Sequence, residues 1–68
     1  LHIMNLVIDR GNTSTKIAVF DQRRLVYQAV LDVFEPSALT SVIATYAVQQ
    51  IIYSSVVTTE PFLSDFLI

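Results

Sequence analysis

The segment MNLVIDRGNTSTKIAVF, residues 4–20, contains two apolar runs separated by a short polar loop. The first run is apolar on both faces and too short for a typical helix, which predicts a central strand of a covered sheet over residues 3–9. Gly11 and Asn12 are typical hairpin-turn residues, because glycine reaches positive φ without a Cβ clash. From Ser14 to Val19 apolar and polar residues alternate with the period of a second strand. The segment therefore predicts an antiparallel β-hairpin.

The rest of the chain predicts a third strand, a helix, a fourth strand and a second helix. A polar break at residues 21–24 precedes the third strand, at 25–30. Pro36 fits the first turn of a helix, and residues 51–57 form the fourth strand. The apolar positions of the two helices recur at helical spacing and comprise Leu39, Val42, Ile43, Tyr46 and Ala47, then Phe62, Leu63, Phe66 and Leu67. Because a helical crossover joins parallel strands, the order β-β-β-α-β-α predicts an α/β fold with a mixed sheet.

The composition excludes several functional classes. The 68 residues include no cysteine and one histidine, which excludes a disulfide framework and a thiolate metal site. Six acidic residues against four basic ones give a net charge of −2, without the basic surface that nucleic-acid binding requires. No uncharged apolar run approaches the roughly 18–20 residues of a membrane span, and Asp9 and Arg10 interrupt any signal-peptide core. We therefore expect a cytoplasmic protein that binds neither nucleic acid nor membrane.

The apolar content bears on the size of the folded unit. Hydrophobic residues make up 53% of the chain, while a domain this small buries only a modest fraction of its surface. We therefore expect residues 1–68 to be part of something larger, and we expect the isolated chain to self-associate or dimerise.

The residues between the first two strands suit either phosphate binding or a plain turn. A turn that contains Gly11 can aim backbone N–H groups at an anion, and the side chains of Asn12 and Thr13 add small donors. Asp9, at the strand end, can hold Mg²⁺ together with phosphate oxygens. The same residue types are ordinary in hairpins, and spacing alone favours the plain turn.

Two motifs carry a resemblance to a known family. Asp9-x-Gly11-Asn12-Thr13 resembles the first phosphate-binding motif of actin-like ATPases, and residues 4–20 as a whole look like the amino terminus of type III pantothenate kinases. Ser54-Ser55-Val56-Val57 is similar to the Ser-Val-Val element after the family's fourth strand. The resemblance implies that residues 1–68 are the amino-terminal part of one ribonuclease-H-like, actin-like domain.

The same resemblance implies a function: ATP-dependent phosphorylation of pantothenate, the first step of coenzyme A biosynthesis. The residues implied to hold the ATP phosphates are Asp9, Gly11, Asn12, Thr13 and Lys16, with Asp9 also anchoring Mg²⁺. The family is dimeric and uses a monovalent cation, K⁺ or NH₄⁺. Its general base is expected beyond Ile68, so no catalytic residue is expected within this chain, which alone is expected to be inactive.

Several alternatives stay open. The chain could belong to another actin-like phosphotransferase or phosphatase, or to a non-catalytic regulatory member. Lys16 and Ser54 suit a solvated charge and a strand end as well as ligand contacts. Arg10 replaces a residue that is usually apolar in the family, and we expect it to point to solvent. Three aromatic residues are expected to pack in the core: Tyr27, Tyr46 and Tyr53.

Overall fold

The computed structural model describes residues 3–55, which form a small α/β unit with a mixed four-stranded sheet and one helix. The elements in chain order are β1 (Met4–Arg10), β2 (Thr15–Asp21), β3 (Arg24–Leu31), α1 (Pro36–Tyr46) and β4 (Gln50–Ser55). The predicted order β-β-β-α-β is confirmed, and the predicted second helix lies outside the described residues. Between residues 3 and 55 no helix is both long and apolar enough to cross a membrane.

The sheet has the strand order β3-β2-β1-β4, so β1 is central as predicted. β2 runs antiparallel to both β1 and β3, while β4 runs parallel to β1. It follows that β3 and β4 point in the same direction, and that α1 joins parallel strands, as the crossover prediction requires. The end of the sheet where β1, β3 and β4 finish and β2 begins is called the top of the sheet below.

One face of the sheet packs against α1. Alternate residues of β1 and β2 point to this face and are almost fully buried, together with two residues of the helix and Phe34. The buried apolar residues are Leu6, Ile8, Ile17, Val19, Phe34, Leu39 and Val42. The rings of Tyr27 and Tyr46 lie 5.3 Å apart, and Tyr53 also packs on this cluster, so the core prediction for the three tyrosines is confirmed.

The ends of α1 follow from local backbone chemistry. Pro36 occupies the first turn, where its missing N–H costs no helical hydrogen bond. Glu35 is the N-cap residue, and its carboxylate accepts a hydrogen bond from the Ser37 hydroxyl at 3.1 Å. At the other end Ala47 takes a left-handed conformation with φ of 52°, and the Val48 N–H donates to the Ile43 carbonyl at 3.1 Å. The helix thus ends in a glycine-type cap without a glycine.

The opposite face of the sheet, called the outer face below, carries apolar side chains beside polar ones. Val7 has Ala18 and Ile52 as its register partners, and all three lie on this face. Ile52 is 56% exposed and Val30 is 61% exposed. Because α1 packs on the other face, no helix among residues 3–55 covers these residues.

Replacement of Ala47 by glycine is expected to stabilise the fold. An L-residue in the left-handed region pays a steric cost that glycine avoids, so Ala47→Gly should raise the free energy of unfolding by about 0.5–1 kcal/mol. Ala44, exposed within the same helix, is the matched control, and Ala44→Gly should lower stability by about 0.5–1 kcal/mol. Urea denaturation measures both, and equal losses in the two variants would contradict this account of the helix end.

Self-association of the isolated chain is expected to involve the outer face. Exposed apolar area is worth roughly 25 cal/mol per Å² when it is buried, so Ile52→Lys should weaken association markedly. Val33 is 68% exposed but lies in the connection after β3, and Val33→Lys should leave association unchanged. Sedimentation at micromolar concentration measures this difference. A wild-type chain that stays monomeric, or equal effects of the two lysines, would contradict the prediction.

Candidate functional site

Three polar residues lie side by side on the outer face near the top of the sheet. Asp9 of β1 is the register partner of Lys16 in β2 and of Ser54 in β4. Neighbouring strands lie about 4.7–4.9 Å apart, so register partners on one face are adjacent. All three residues are exposed. The structure therefore brings together a carboxylate, an ammonium group and a hydroxyl that are accessible from one side.

A four-residue loop, Gly11–Ser14, joins β1 to β2 directly above these side chains. The Gly11 N–H donates to the Ser14 carbonyl at 2.9 Å, which closes the loop on itself. Asn12 and Thr13 are exposed at its tip. Their side chains offer an amide and a hydroxyl at the same end of the sheet as Asp9. The predicted phosphate-loop residues are thus gathered at one place.

Gly11 does not have the backbone conformation that its presence in a turn suggested. No glycine among the described residues has positive φ, so the expectation that Gly11 relies on a left-handed conformation is wrong. A Cβ atom at this position would lie 3.0 Å from the Ser14 carbonyl oxygen, closer than ordinary van der Waals contact. A side chain at this position would require the Ser14 carbonyl to move, because the two ends of the loop approach closely.

Arg10 does not point to solvent, and that prediction is wrong. Its side chain is half-buried on the face that α1 covers, since it alternates along β1 with Leu6 and Ile8. The Arg10 Nη1 donates to the Thr15 Oγ1 at 2.9 Å, and its guanidinium carbon lies 5.3 Å from the centroid of the Phe34 ring. An aromatic ring and a buried hydroxyl thus replace the water that an exposed arginine would contact.

An open groove of about 540 Å³ runs down the outer face from Asp9 and Lys16. Its floor includes the apolar side chains of Val7, Ala18 and Val30. Gln28 also lines the groove, and a largely apolar surface with a few polar groups is the usual character of a small-molecule site. The groove can accept the less polar part of a molecule whose charged end lies at the top of the sheet.

The donor set fits magnesium as part of a phosphate complex. Among residues 3–55 no group of three or more His, Cys, Asp or Glu side chains is placed to hold a metal ion. Asp9 supplies one accessible carboxylate, and Mg²⁺ in phosphoryl-transfer sites commonly takes one or two carboxylates, with water and phosphate oxygens completing its coordination.

Two residues near the site had no functional signal in the sequence. Thr15 is completely buried, although threonine is mostly exposed in folded proteins, and Phe34 is an isolated aromatic residue in a connection. Only their common contact with Arg10 gives them significance. The two serines of β4 are separated by strand alternation: Ser54 is on the outer face beside Asp9, and Ser55 is paired with Arg10.

Comparison with known proteins adds no relative: no family model, no curated protein and no solved structure matches this chain.

Substitution of Gly11 by alanine tests the close approach within the loop. The added methyl group would press on the Ser14 carbonyl, so Gly11→Ala should lower the free energy of unfolding by about 1 kcal/mol or more. Asn12→Ala, at the exposed tip of the same loop, should change stability by less than about 0.5 kcal/mol. Thermal or urea unfolding distinguishes the two. An unchanged free energy of unfolding in Gly11→Ala would show that the loop accommodates the methyl group without cost.

Proposed function

We propose that this chain is the amino-terminal, phosphate-binding part of a type III pantothenate kinase-like enzyme, which transfers the γ-phosphoryl group of ATP to pantothenate. The observation that carries the proposal is the placement of Asp9, Lys16 and Ser54 side by side below the Gly11–Ser14 loop. The resemblance of residues 4–20 and 54–57 to that family supplies the reaction and the acceptor.

Phosphoryl transfer depends mainly on positioning and on neutralisation of charge, and these are tasks that the residues at the top of the sheet can perform. Lys16 presents an ammonium group to phosphate oxygens from β2, next to Asp9. The loop offers the side chains of Asn12 and Thr13 as donors to the same phosphates. Bound Mg²⁺ would supply further charge neutralisation, and Asp9 is the residue that would hold it.

The position of the site within the sheet supports the same proposal. In open α/β sheets ligands bind outside the carboxyl ends of the strands. β1 and β4 are parallel neighbours whose carboxyl ends lie together at the top of the sheet. Asp9 and Ser54 lie at these two strand ends.

The remaining parts of the proposal come from the resemblance. The general base and most contacts to pantothenate would lie beyond Ile68, together with the K⁺ or NH₄⁺ site. The working enzyme would be a cytoplasmic dimer. Under this proposal the 68 residues alone hold ATP phosphates without activating an acceptor, so they turn over no substrate.

Loss of the Asp9 charge is the decisive test. In the protein encoded by the complete reading frame, Asp9→Asn should lower kcat for pantothenate-dependent ADP release by at least about a hundredfold, which corresponds to about 3 kcal/mol. The amide keeps the size of the side chain but is a poor ligand for Mg²⁺. Asp21→Asn, at the opposite end of β2 from Lys16, is the matched control and should leave kcat unchanged.

The same assay separates the proposal from its alternatives. Near-normal turnover of Asp9→Asn at saturating Mg²⁺ would contradict the assignment of Asp9. ADP release that depends on a sugar or acetate instead of pantothenate would indicate another actin-like phosphotransferase. Absence of turnover with every acceptor would indicate a non-catalytic member, and turnover by residues 1–68 alone would contradict the expected place of the base.

A further inference from the structure

The guanidinium group of Arg10 contacts two buried residues, Thr15 and Phe34. Its Nη1 donates to the Thr15 Oγ1 at 2.9 Å, and its central carbon lies 5.3 Å from the centroid of the Phe34 ring. Thr15 is 0% exposed and Phe34 is 9% exposed. Between residues 3 and 55 Thr15 is the only buried polar residue. Because its side chain is out of contact with solvent, its hydroxyl needs a hydrogen-bond partner within the protein.

These contacts are of a kind that fixes a side chain. A hydrogen bond from a charged donor is stronger than one between neutral groups, and loss of a partner at a buried hydroxyl is costly. The guanidinium plane also suits a contact with an aromatic face, and arginine loses less rotamer freedom per hydrogen bond than lysine does. Arg10 therefore ties the start of β2 and the connection after β3 to the end of β1.

The Arg10–Thr15 hydrogen bond lies at the base of the Gly11–Ser14 loop. Arg10 and Thr15 are the last register pair of the hairpin, so their bond closes the Gly11–Ser14 loop at its base. The Gly11–Ser14 hydrogen bond is the next closure above it. Asp9 is the neighbouring residue on β1 and points to the outer face, so Arg10 lies on the opposite side of the sheet from the candidate ligand.

We propose that Arg10 is a positioning residue, which orders the Gly11–Ser14 loop and the end of β1 from beneath, through Thr15 and Phe34, so that the loop receives phosphate oxygens. It does so without touching the ligand. The ordering of the loop is independent of the reaction, whereas its consequence for phosphate rests on the proposed function.

Amide hydrogen exchange tests the ordering of the Gly11–Ser14 loop. It is measured by NMR on the 68-residue chain, at a concentration where sedimentation gives one species. Arg10→Met and Thr15→Val should each speed exchange of the Gly11 amide about tenfold relative to the amide of Val19, in the buried core. The double variant should add little to either single one, because both remove the same bond. Arg23→Met, in the exposed turn before β3, is the matched control and should change neither amide.

Arg10→Lys distinguishes a positioning role from a general effect of positive charge. Lysine keeps the charge but lacks the planar group that contacts Phe34 and Thr15, so it should not restore slow exchange at Gly11. Full restoration by lysine would overturn the proposal. A uniform loss of protection at Gly11 and Val19 alike would also overturn it, since that pattern indicates a purely structural contribution to stability.

Titration of the same variants with ATP and Mg²⁺ extends the test to the ligand. Arg10→Met should raise the Kd for Mg·ATP about tenfold while Arg23→Met leaves it unchanged. If the wild-type chain binds no Mg·ATP although the exchange pattern is as expected, the proposed function and the phosphate role of the loop both fail, and Arg10 stands only as the residue that orders it. Unchanged exchange at Gly11, with Mg·ATP binding intact, would refute the role of Arg10 alone.

Discussion

β1 is hydrogen-bonded on both sides, to β2 and to β4, and this central position determines what each of its residues does. Successive side chains of a strand alternate between the two faces of the sheet, and hydrogen bonds on both edges of β1 fix which residue faces which side. Leu6 and Ile8 consequently form the core with α1. Asp9 is directed to the outer face and Arg10 to the covered face by the same alternation, although both are charged.

Two exposed charged side chains at the top of the sheet are each adjacent in sequence to buried residues. Asp9 follows Ile8, and Lys16 lies between Thr15 and Ile17. Burial of these neighbours fixes the backbone from which the polar side chains project, so their relative position is set by the core and not by a ligand. Asn12 and Thr13 differ in this respect, because they project from a loop whose order depends on its closures.

Much of the fold was predictable because its signals are local. Strand alternation and the proline at the helix start predicted the hairpin and α1. The position of Ser54 beside Asp9 was harder to predict from the sequence. It depends on β4 pairing with β1 and not with β3, which no local pattern indicates. Arg10 was misassigned because Phe34, its aromatic partner, is contributed by a distant connection. Gly11 was assigned the wrong physical role because turn composition does not reveal loop geometry.

The division between a rigid and an adaptable part affects how the site would bind an anion. Ordering of side chains on binding costs about 0.5–1.5 kcal/mol for each one that is immobilised, and strands packed on a core have already lost backbone freedom during folding. The backbones of Asp9 and Lys16 are therefore ordered by folding, whereas the loop between them would require ordering by the ligand or by the protein. The guanidinium group of Arg10 is held by a buried hydroxyl and an aromatic ring before any ligand arrives. Under the proposal for Arg10, the loop therefore loses its conformational freedom during folding and not on binding. Under the proposed function, a charged residue on the covered side of the sheet would thus assist anion binding on the other side by restricting the backbone that the two sides share.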